Sequence, residues 1–212
     1  MIKVVLFDFW GTLVDNGTYS PLRQTYAILR PNMPFGQFAE HFERAFMTKK
    51  FDEQAQGFTA VCDELGIPVK QFIIDKLIGL WNKNRMLAKP YPETIAVLTA
   101  LKEKGYKLVL VSNTDQLIDQ VIERLDLAKY FDAMIFSYET GTLKTDKAFI
   151  EAALKKVSAK KTEALLVGDS VETDMVGAEN AGIKAVLIDR KNKREHDPKI
   201  ATLEELPAFI EK

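Results

Sequence analysis

The chain has 212 residues, 47% hydrophobic and 28% charged, a composition that excludes a disordered protein and fits one globular domain, or one domain with an insertion. Its 29 Lys and Arg against 30 Asp and Glu leave a formal charge of −1, which excludes nucleic-acid binding by bulk positive charge. The single cysteine, Cys62, excludes an intramolecular disulfide and a zinc site built from cysteines.

In chain order, residues 2–7 (Ile-Lys-Val-Val-Leu-Phe) are a β-branched apolar run and predict a buried parallel strand. Residues 16–88 show no strand pattern. Helices are expected there at about 20–30, 35–50, 53–65 and 69–86, punctuated by Pro31, Pro34, Gly66 and Pro68. Phe35, Phe38, Phe42, Phe46, Phe51, Phe58, Phe72 and Trp81 predict a helical-bundle core for this segment. Lys89-Pro90-Tyr91-Pro92 reads as a rigid return to the main domain. Further strands are expected at 107–111, 133–136, 164–167 and 185–188. Helical stripes lie between them: Thr94, Val97, Leu98 and Leu101; Leu117, Ile118, Val121, Ile122 and Leu125; Ala148, Phe149, Ala152 and Ala153. Gly105 and Gly182 stand where left-handed caps end helices. Strand–helix alternation predicts an α/β fold: a parallel sheet covered by helices on both faces, formed by residues 1–15 and 89–212, with 16–88 inserted after the first strand.

No apolar run approaches the ~18 residues of a membrane-crossing helix. Asp8 follows the first apolar run too soon for a secretory signal. The expected setting is therefore cytoplasmic, with no membrane and no nucleic-acid partner. The oligomeric state is not legible.

Ligands of open α/β sheets bind beyond the carboxyl ends of the strands. Those ends carry Asp8 to Leu13, then Ser112 to Asp115, then a loop with Gly141-Thr142-Leu143-Lys144, and last Gly168-Asp169-Ser170 with Asp174 beyond. Taken singly, Asp8 is a turn acid, Ser112 a helix cap and Lys144 a solvated lysine. Taken together, they bring acids, a hydroxyl and an ammonium to one rim, which suits phosphoryl transfer. A carboxylate attacks phosphorus, a hard cation such as Mg²⁺ separates the other carboxylates from the phosphate, and a lysine offsets the remaining charge.

These residues are where a family resemblance lies. Asp8-Phe9-Trp10-Gly11-Thr12-Leu13, Ser112-Asn113, Lys144 and Gly168-Asp169-Ser170-Val171-Glu172-Thr173-Asp174 resemble, in order, the four motifs of the haloacid dehalogenase superfamily. The resemblance implies a Rossmann-like core and a helical cap over 16–88. It implies Asp8 as nucleophile, Ser112 and Asn113 on the phosphoryl group, and Lys144 as charge stabiliser. Mg²⁺ would be held by Asp8, the Trp10 carbonyl, Asp169 and Asp174. Thr145 stands where a proline is usual.

The departure is Trp10, which replaces the aspartate that serves family phosphatases as general acid and base. An indole does neither, and loss of such assistance costs ~10²–10⁴ in rate. The resemblance implies a Mg²⁺-dependent phosphatase acting on small phosphorylated molecules. Asp15 and Glu172 are the candidates for a substitute proton donor. A 2-haloacid dehalogenase is the rival reading, because those enzymes carry an aromatic at this place, although they lack the metal-binding acid of the fourth motif. A phosphonate hydrolase using Lys49 or Lys50, and an impaired binding protein plugged by Trp10, complete the alternatives.

Overall fold

The computed structural model describes residues 1–16 and 19–211, so positions 17, 18 and 212 of the expected boundaries lie outside the described residues. The first strand, β1 (Val4–Phe7), has all four residues buried, as its unbroken apolar run requires. After it, β2 (Val14–Asp15) leads into four helices: α1 (Pro21–Leu29), α2 (Phe35–Met47), α3 (Gln54–Glu64) and α4 (Gln71–Leu87). The chain returns through β3 (Lys89–Pro90) and continues as α5 (Thr94–Glu103), β4 (Lys107–Ser112), α6 (Ile118–Arg124) and β5 (Ala133–Phe136). Then come α7 (Ser137–Thr140), α8 (Lys147–Lys156), β6 (Ala164–Gly168), α9 (Val176–Ala181), β7 (Lys184–Ile188), β8 (Lys199–Ile200) and α10 (Leu206–Ile210).

Six strands form one sheet in the order β5-β4-β1-β6-β7-β8, with every pair parallel. β1 is central: Val4 pairs with Lys107 on one side and Ala164 on the other. The residue after β1 is thus flanked by the carboxyl ends of β4 and β6, the place where open α/β sheets bind ligands. Alternation along β1 feeds two cores. Val5 and Phe7 join Leu98, Leu101, Val121 and Ile122 of α5 and α6. Val4 and Leu6 join Phe149, Ile150, Ala178 and Ala181 of α8 and α9. Phe7 is wholly buried, and truncating it to alanine would cost ~3–5 kcal/mol.

The four inserted helices bury a separate core of Phe38, Phe42, Phe46, Phe58, Leu77 and Trp81. Pro21 opens α1 behind Ser20, whose hydroxyl accepts from the Arg23 N–H at 3.3 Å. The Trp81 indole N–H donates to Thr25 Oγ1 at 2.9 Å, which ties α4 to α1. α2 and α3 approach closely at Gly57, where a Cβ would stand 2.6 Å from the Phe46 ring.

The structure corrects two expectations, on Phe72 and on the return at Lys89-Pro90. Phe72 is 66% exposed, outside the bundle core. Gly141-Thr142-Leu143-Lys144 lie in a loop as expected, which follows a single helical turn, α7, closed by Gly141 in the left-handed region. The return at Lys89-Pro90 is a strand paired antiparallel with Val14–Asp15, so the insertion leaves and rejoins through one short ribbon. The Tyr91 N–H and the Thr94 hydroxyl both donate to the Leu13 carbonyl, at 3.0 and 2.8 Å, and anchor that ribbon to the first motif.

Candidate active site

Asp8 follows β1 directly, and its N–H donates to the Val167 carbonyl of β6 at 2.9 Å, so the sheet itself fixes its backbone. The side chain is buried. Thr12 Oγ1 donates to Oδ2 at 3.1 Å, and Lys144 Nζ donates to Oδ1 at 2.6 Å. Lys144, only 3% exposed, also donates to Asp174 Oδ1 at 2.5 Å. Asp174 sits in a wide π-type turn, Val171–Met175, in which the Asp174 and Met175 N–H groups share the Ser170 carbonyl. That turn returns Asp174 over β6, where its Oδ2 accepts from the Ser170 N–H at 3.0 Å.

Two glycines make the assembly possible. A Cβ on Gly168 would stand 2.2 Å from the Asp174 carboxyl carbon, so only glycine lets that side chain fold back over the strand end. Gly11 has φ +83°, and a Cβ there would stand 2.6 Å from Asp169 Oδ2. The glycines of the first and fourth motifs thus clear space for the acids of the fourth.

Carboxylate oxygens of Asp8, Asp169 and Asp174 lie within 4.8 Å of one another. Burial raises the Asp8 carboxyl to about 8, against the pull of Lys144 and with a further push from Asp174 and Asp169. Burial and the Asp174 charge raise Asp169 to about 6, and Arg194, 3.7 Å away, offsets part of this. Burial works against the Lys144 ammonium, but Asp174 and Asp8 outweigh it and hold its pKa well above the ordinary lysine value. Asp8 and Asp174 therefore share one buried ammonium with Asp169 beside them, and all-oxygen donors in this number suit a hard divalent cation. The Ser112 hydroxyl, at the end of β4, is buried and has no hydrogen-bond partner among the described residues. An orphaned donor at this rim fits a phosphate oxygen, because leaving it unpaired costs roughly 1–3 kcal/mol.

Asn113 links the two halves of the molecule. Its Oδ1 accepts from the Lys144 N–H at 2.8 Å, and its Nδ2 donates to Glu43 Oε2 of α2 at 2.8 Å. Trp10 is half-buried, edge-on to Phe9 with ring centroids 4.9 Å apart, and packs on the sheet core. It brings no acid to the cluster. Asp15 and Glu172, the expected substitutes, are both exposed, and Glu172 accepts from Ser170 Oγ instead. Lys49 and Lys50 are exposed, lying over the Phe51 and Tyr138 rings.

Sequence reasoning missed three participants. Thr12 was in view as part of the first motif, and a hydroxyl four residues after the acid was its only signal. Glu43 and Arg190 had none: Arg190 donates to the Thr12 carbonyl at 2.9 Å and lies 3.5 Å over the Tyr91 ring, which braces the Asp8 loop.

A parallel sheet with a carboxylate–lysine–carboxylate cluster at its carboxyl edge defines a hydrolase class, and sequence comparison agrees. The family model for haloacid dehalogenase-like hydrolases matches residues 5–188, and the chain belongs to that family. Among its relatives, the glyceraldehyde 3-phosphate phosphatase of Methanothermobacter thermautotrophicus is 29% identical over 195 residues, covering 89% of this chain and 86% of that one. The phosphoglycolate phosphatase of Aquifex aeolicus is 27% identical over 192 residues, covering 88% and 84%. The fold is shared with the crystal structure of a HAD phosphatase from Thermococcus onnurineus (TM-score 0.68, 22% identity, 99% and 98% covered). It is shared equally with that of a 2-haloacid dehalogenase from Pseudomonas syringae pv. Tomato DC3000 (TM-score 0.69, 24% identity, 100% and 99% covered).

Proposed function

We propose that the protein is a Mg²⁺-dependent phosphatase of small-molecule phosphate monoesters, with residues 16–88 acting as a cap over the site. The observation that carries this reading is the convergence of Asp169 and Asp174 on Asp8. Burial first, and then the charges of Asp174 and Asp169, raise the Asp8 carboxyl and weaken it as a nucleophile. Such crowding serves catalysis only with a cation among them. Relatives whose names specify phosphorylated three- and two-carbon substrates support the same chemistry.

Asp8 attacks phosphorus, an aspartyl-phosphate forms, and water hydrolyses it. Mg²⁺, when bound among Asp8, Asp169 and Asp174, supplies Lewis-acid neutralisation of the phosphate charge. Lys144 balances the charge that builds on the transferring group and favours the anionic form of Asp8 against its burial. Thr12 fixes the rotation of the Asp8 carboxylate through Oδ2. Ser112 donates to a phosphoryl oxygen, and Asn113 holds the Lys144 loop at the right depth.

The dehalogenase reading is favoured by one feature, the aromatic at position 10. A halide leaves without a proton, but that route needs an ionised Asp8 with no cation, and two neighbouring carboxylates oppose ionisation. The deciding experiment is hydrolysis of p-nitrophenyl phosphate with and without Mg²⁺, beside halide release from 2-chloropropionate. Phosphatase turnover that disappears with chelator is expected. Halide release without phosphatase turnover would overturn the reading. Among the described residues no helix is long and apolar enough to cross a membrane. The reading places the enzyme in the cytoplasm with a free small-molecule substrate and no nucleic acid.

A further inference from the structure

We propose that Glu43, on helix α2 of the inserted unit, is the group that protonates the leaving oxygen in this chain and takes over the acid–base work that position 10 cannot do. This rests on the phosphatase reading above.

Phosphoryl transfer is an in-line displacement, so the oxygen that leaves departs on the side opposite Asp8. Asp8 lies at the sheet edge. Glu43 reaches that rim from α2 of the inserted unit rather than from the sheet that carries Asp8: its Oε2 accepts from Asn113 Nδ2 at 2.8 Å, and Asn113 in turn holds the backbone of Lys144. Among the described residues, Oε1 of Glu43 receives no hydrogen bond, which leaves one carboxyl oxygen free for a ligand. The charged groups that face this carboxyl are Lys144 and Asp174 from the sheet domain and Glu40 on its own helix.

The environment suits an acid. Burial raises the Glu43 carboxyl above the ordinary glutamate value, more than the Asn113 hydrogen bond and the Lys144 charge lower it. The other acids offered by the sequence fail on geometry. Asp15 and Glu172 are exposed, and Asp169 and Asp174 belong to the cation cluster.

As the Asp8–phosphorus bond forms and the bond from phosphorus to the leaving oxygen breaks, that oxygen keeps the bonding electron pair and takes the proton from Glu43. In the second half, water adds to phosphorus, the bond to Asp8 breaks, and the water's proton returns to the Glu43 carboxylate. The sum is ester plus water to alcohol plus phosphate, with Glu43 unchanged.

The test is kcat/KM for a series of phosphate monoesters spanning leaving groups from p-nitrophenol to simple alcohols. It compares wild type, Glu43→Gln, the exposed neighbour Glu40→Gln, and the double variant Glu43→Gln/Trp10→Asp. Glutamine keeps the oxygen that accepts from Asn113, so a role limited to anchoring α2 survives the change. The expected result is a loss of about 10²-fold on alkyl phosphates and little loss on p-nitrophenyl phosphate for Glu43→Gln, with Glu40→Gln unaffected. The double variant should regain at least part of the alkyl-phosphate rate. An equal loss on all leaving groups, or no loss on any, overturns the role of Glu43 while leaving the phosphatase reading intact. Absence of wild-type turnover on every phosphate overturns both.

Discussion

A Cβ on Gly177 would stand 2.4 Å from the carbonyl oxygen of Lys144. Helix α9 thus packs directly on the backbone that presents the site lysine, and only a hydrogen atom fits between. Gly177 lies inside a helix, where Gly→Ala ordinarily stabilises by about 0.5–1 kcal/mol. Here the neighbour is backbone and cannot swing away, so Gly177→Ala should instead destabilise by ~1–3 kcal/mol and lower kcat by displacing Lys144. Gly36 and Gly79, also helical, have open space around them. Alanine at either should stabilise. Urea midpoints of the three variants check the contrast, and a gain at Gly177 would show that the two backbones are not in close contact.

Removal of the ammonium should be felt in both folding and catalysis. Lys144→Met leaves Asp8 and Asp174 buried together without their counter-charge. Breaking a buried pair in this way costs roughly 3–5 kcal/mol, and protonation of the carboxyls recovers part of it. Asp8→Asn should act oppositely on the fold, because it relieves crowding of three acids, while turnover falls by ~10³-fold or more. A lower melting temperature for Lys144→Met and an unchanged or higher one for Asp8→Asn is the expected pattern. A beryllofluoride adduct should form on wild type and not on Asp8→Asn. Lys49→Ala and Lys50→Ala should leave activity near wild type.

The fold was legible wherever the pattern was local. The five apolar runs are all strands, because a strand buried on both faces has no polar positions to blur it. β8 and the β2–β3 ribbon escaped, since two residues carry no periodicity and Lys199–Ile200 becomes a strand only by lying beside Leu187 and Ile188. The acids and Lys144 were legible because Asp8 and Asp169 directly follow apolar runs, and Lys144 and Asp174 stand at short, fixed spacings beyond such runs. Glu43 was not: α2 carries Glu40 and Glu43 on adjoining turns, and only the packing of the insertion on Asn113 distinguishes them. Phe72 misled because an aromatic within a helical stretch looks like core until the helix is rotated into place.

The acid cluster predicts stabilisation by metal. Mg²⁺ at about 100 times its dissociation constant should add about 2.7 kcal/mol and raise the melting temperature after chelator treatment. Asp169→Asn should reduce that rise more than Asp15→Asn, since Asp15 lies in the ribbon and outside the cluster. Equal rises in both variants would remove Asp169 from the metal site.

Arg190 gives a pH signature away from the metal site. Burial works to raise the Glu93 carboxyl, but the hydrogen bond from Arg190, whose Nη1 lies 2.5 Å from Glu93 Oε1, holds it below the ordinary glutamate value. A carboxyl lowered on folding adds stability above its unfolded pKa near 4.5 and loses it as pH falls through the lower folded value. Arg190→Met should therefore be less stable than wild type at pH 7, and the gap should narrow as pH falls below about 4. It should also lower activity, because the Thr12 carbonyl loses its donor. A gap that stays constant with pH would assign the loss to packing on Tyr91 alone.

The last prediction concerns how the inserted helices are held over the site. The loop after β4 makes several of the contacts, beside Arg124, which donates to the Arg85 and Ala88 carbonyls, and Arg44, 3.6 Å from Asp146. Asp115 pairs with Arg85 of α4, both side chains nearly buried. Gln116 clamps the backbone of Phe51, accepting from its N–H at 3.1 Å and donating to its carbonyl at 2.7 Å. Asn113 and Ser112 of the site lie immediately before them in the chain. The contacts to the insertion and the residues proposed to bind phosphate thus share one short segment. Asp115→Ala leaves the Arg85 charge unpaired where little water reaches it and should cost about 3–5 kcal/mol. Gln116→Ala removes two neutral hydrogen bonds and should cost less, ~1–3 kcal/mol. On the proposed cap role, its effect on catalysis should be the clearer one: a higher KM for small phosphates with a smaller change in kcat. The check is steady-state kinetics on p-nitrophenyl phosphate beside denaturant midpoints for both variants. A Gln116→Ala enzyme with wild-type KM would show that closure does not depend on this clamp.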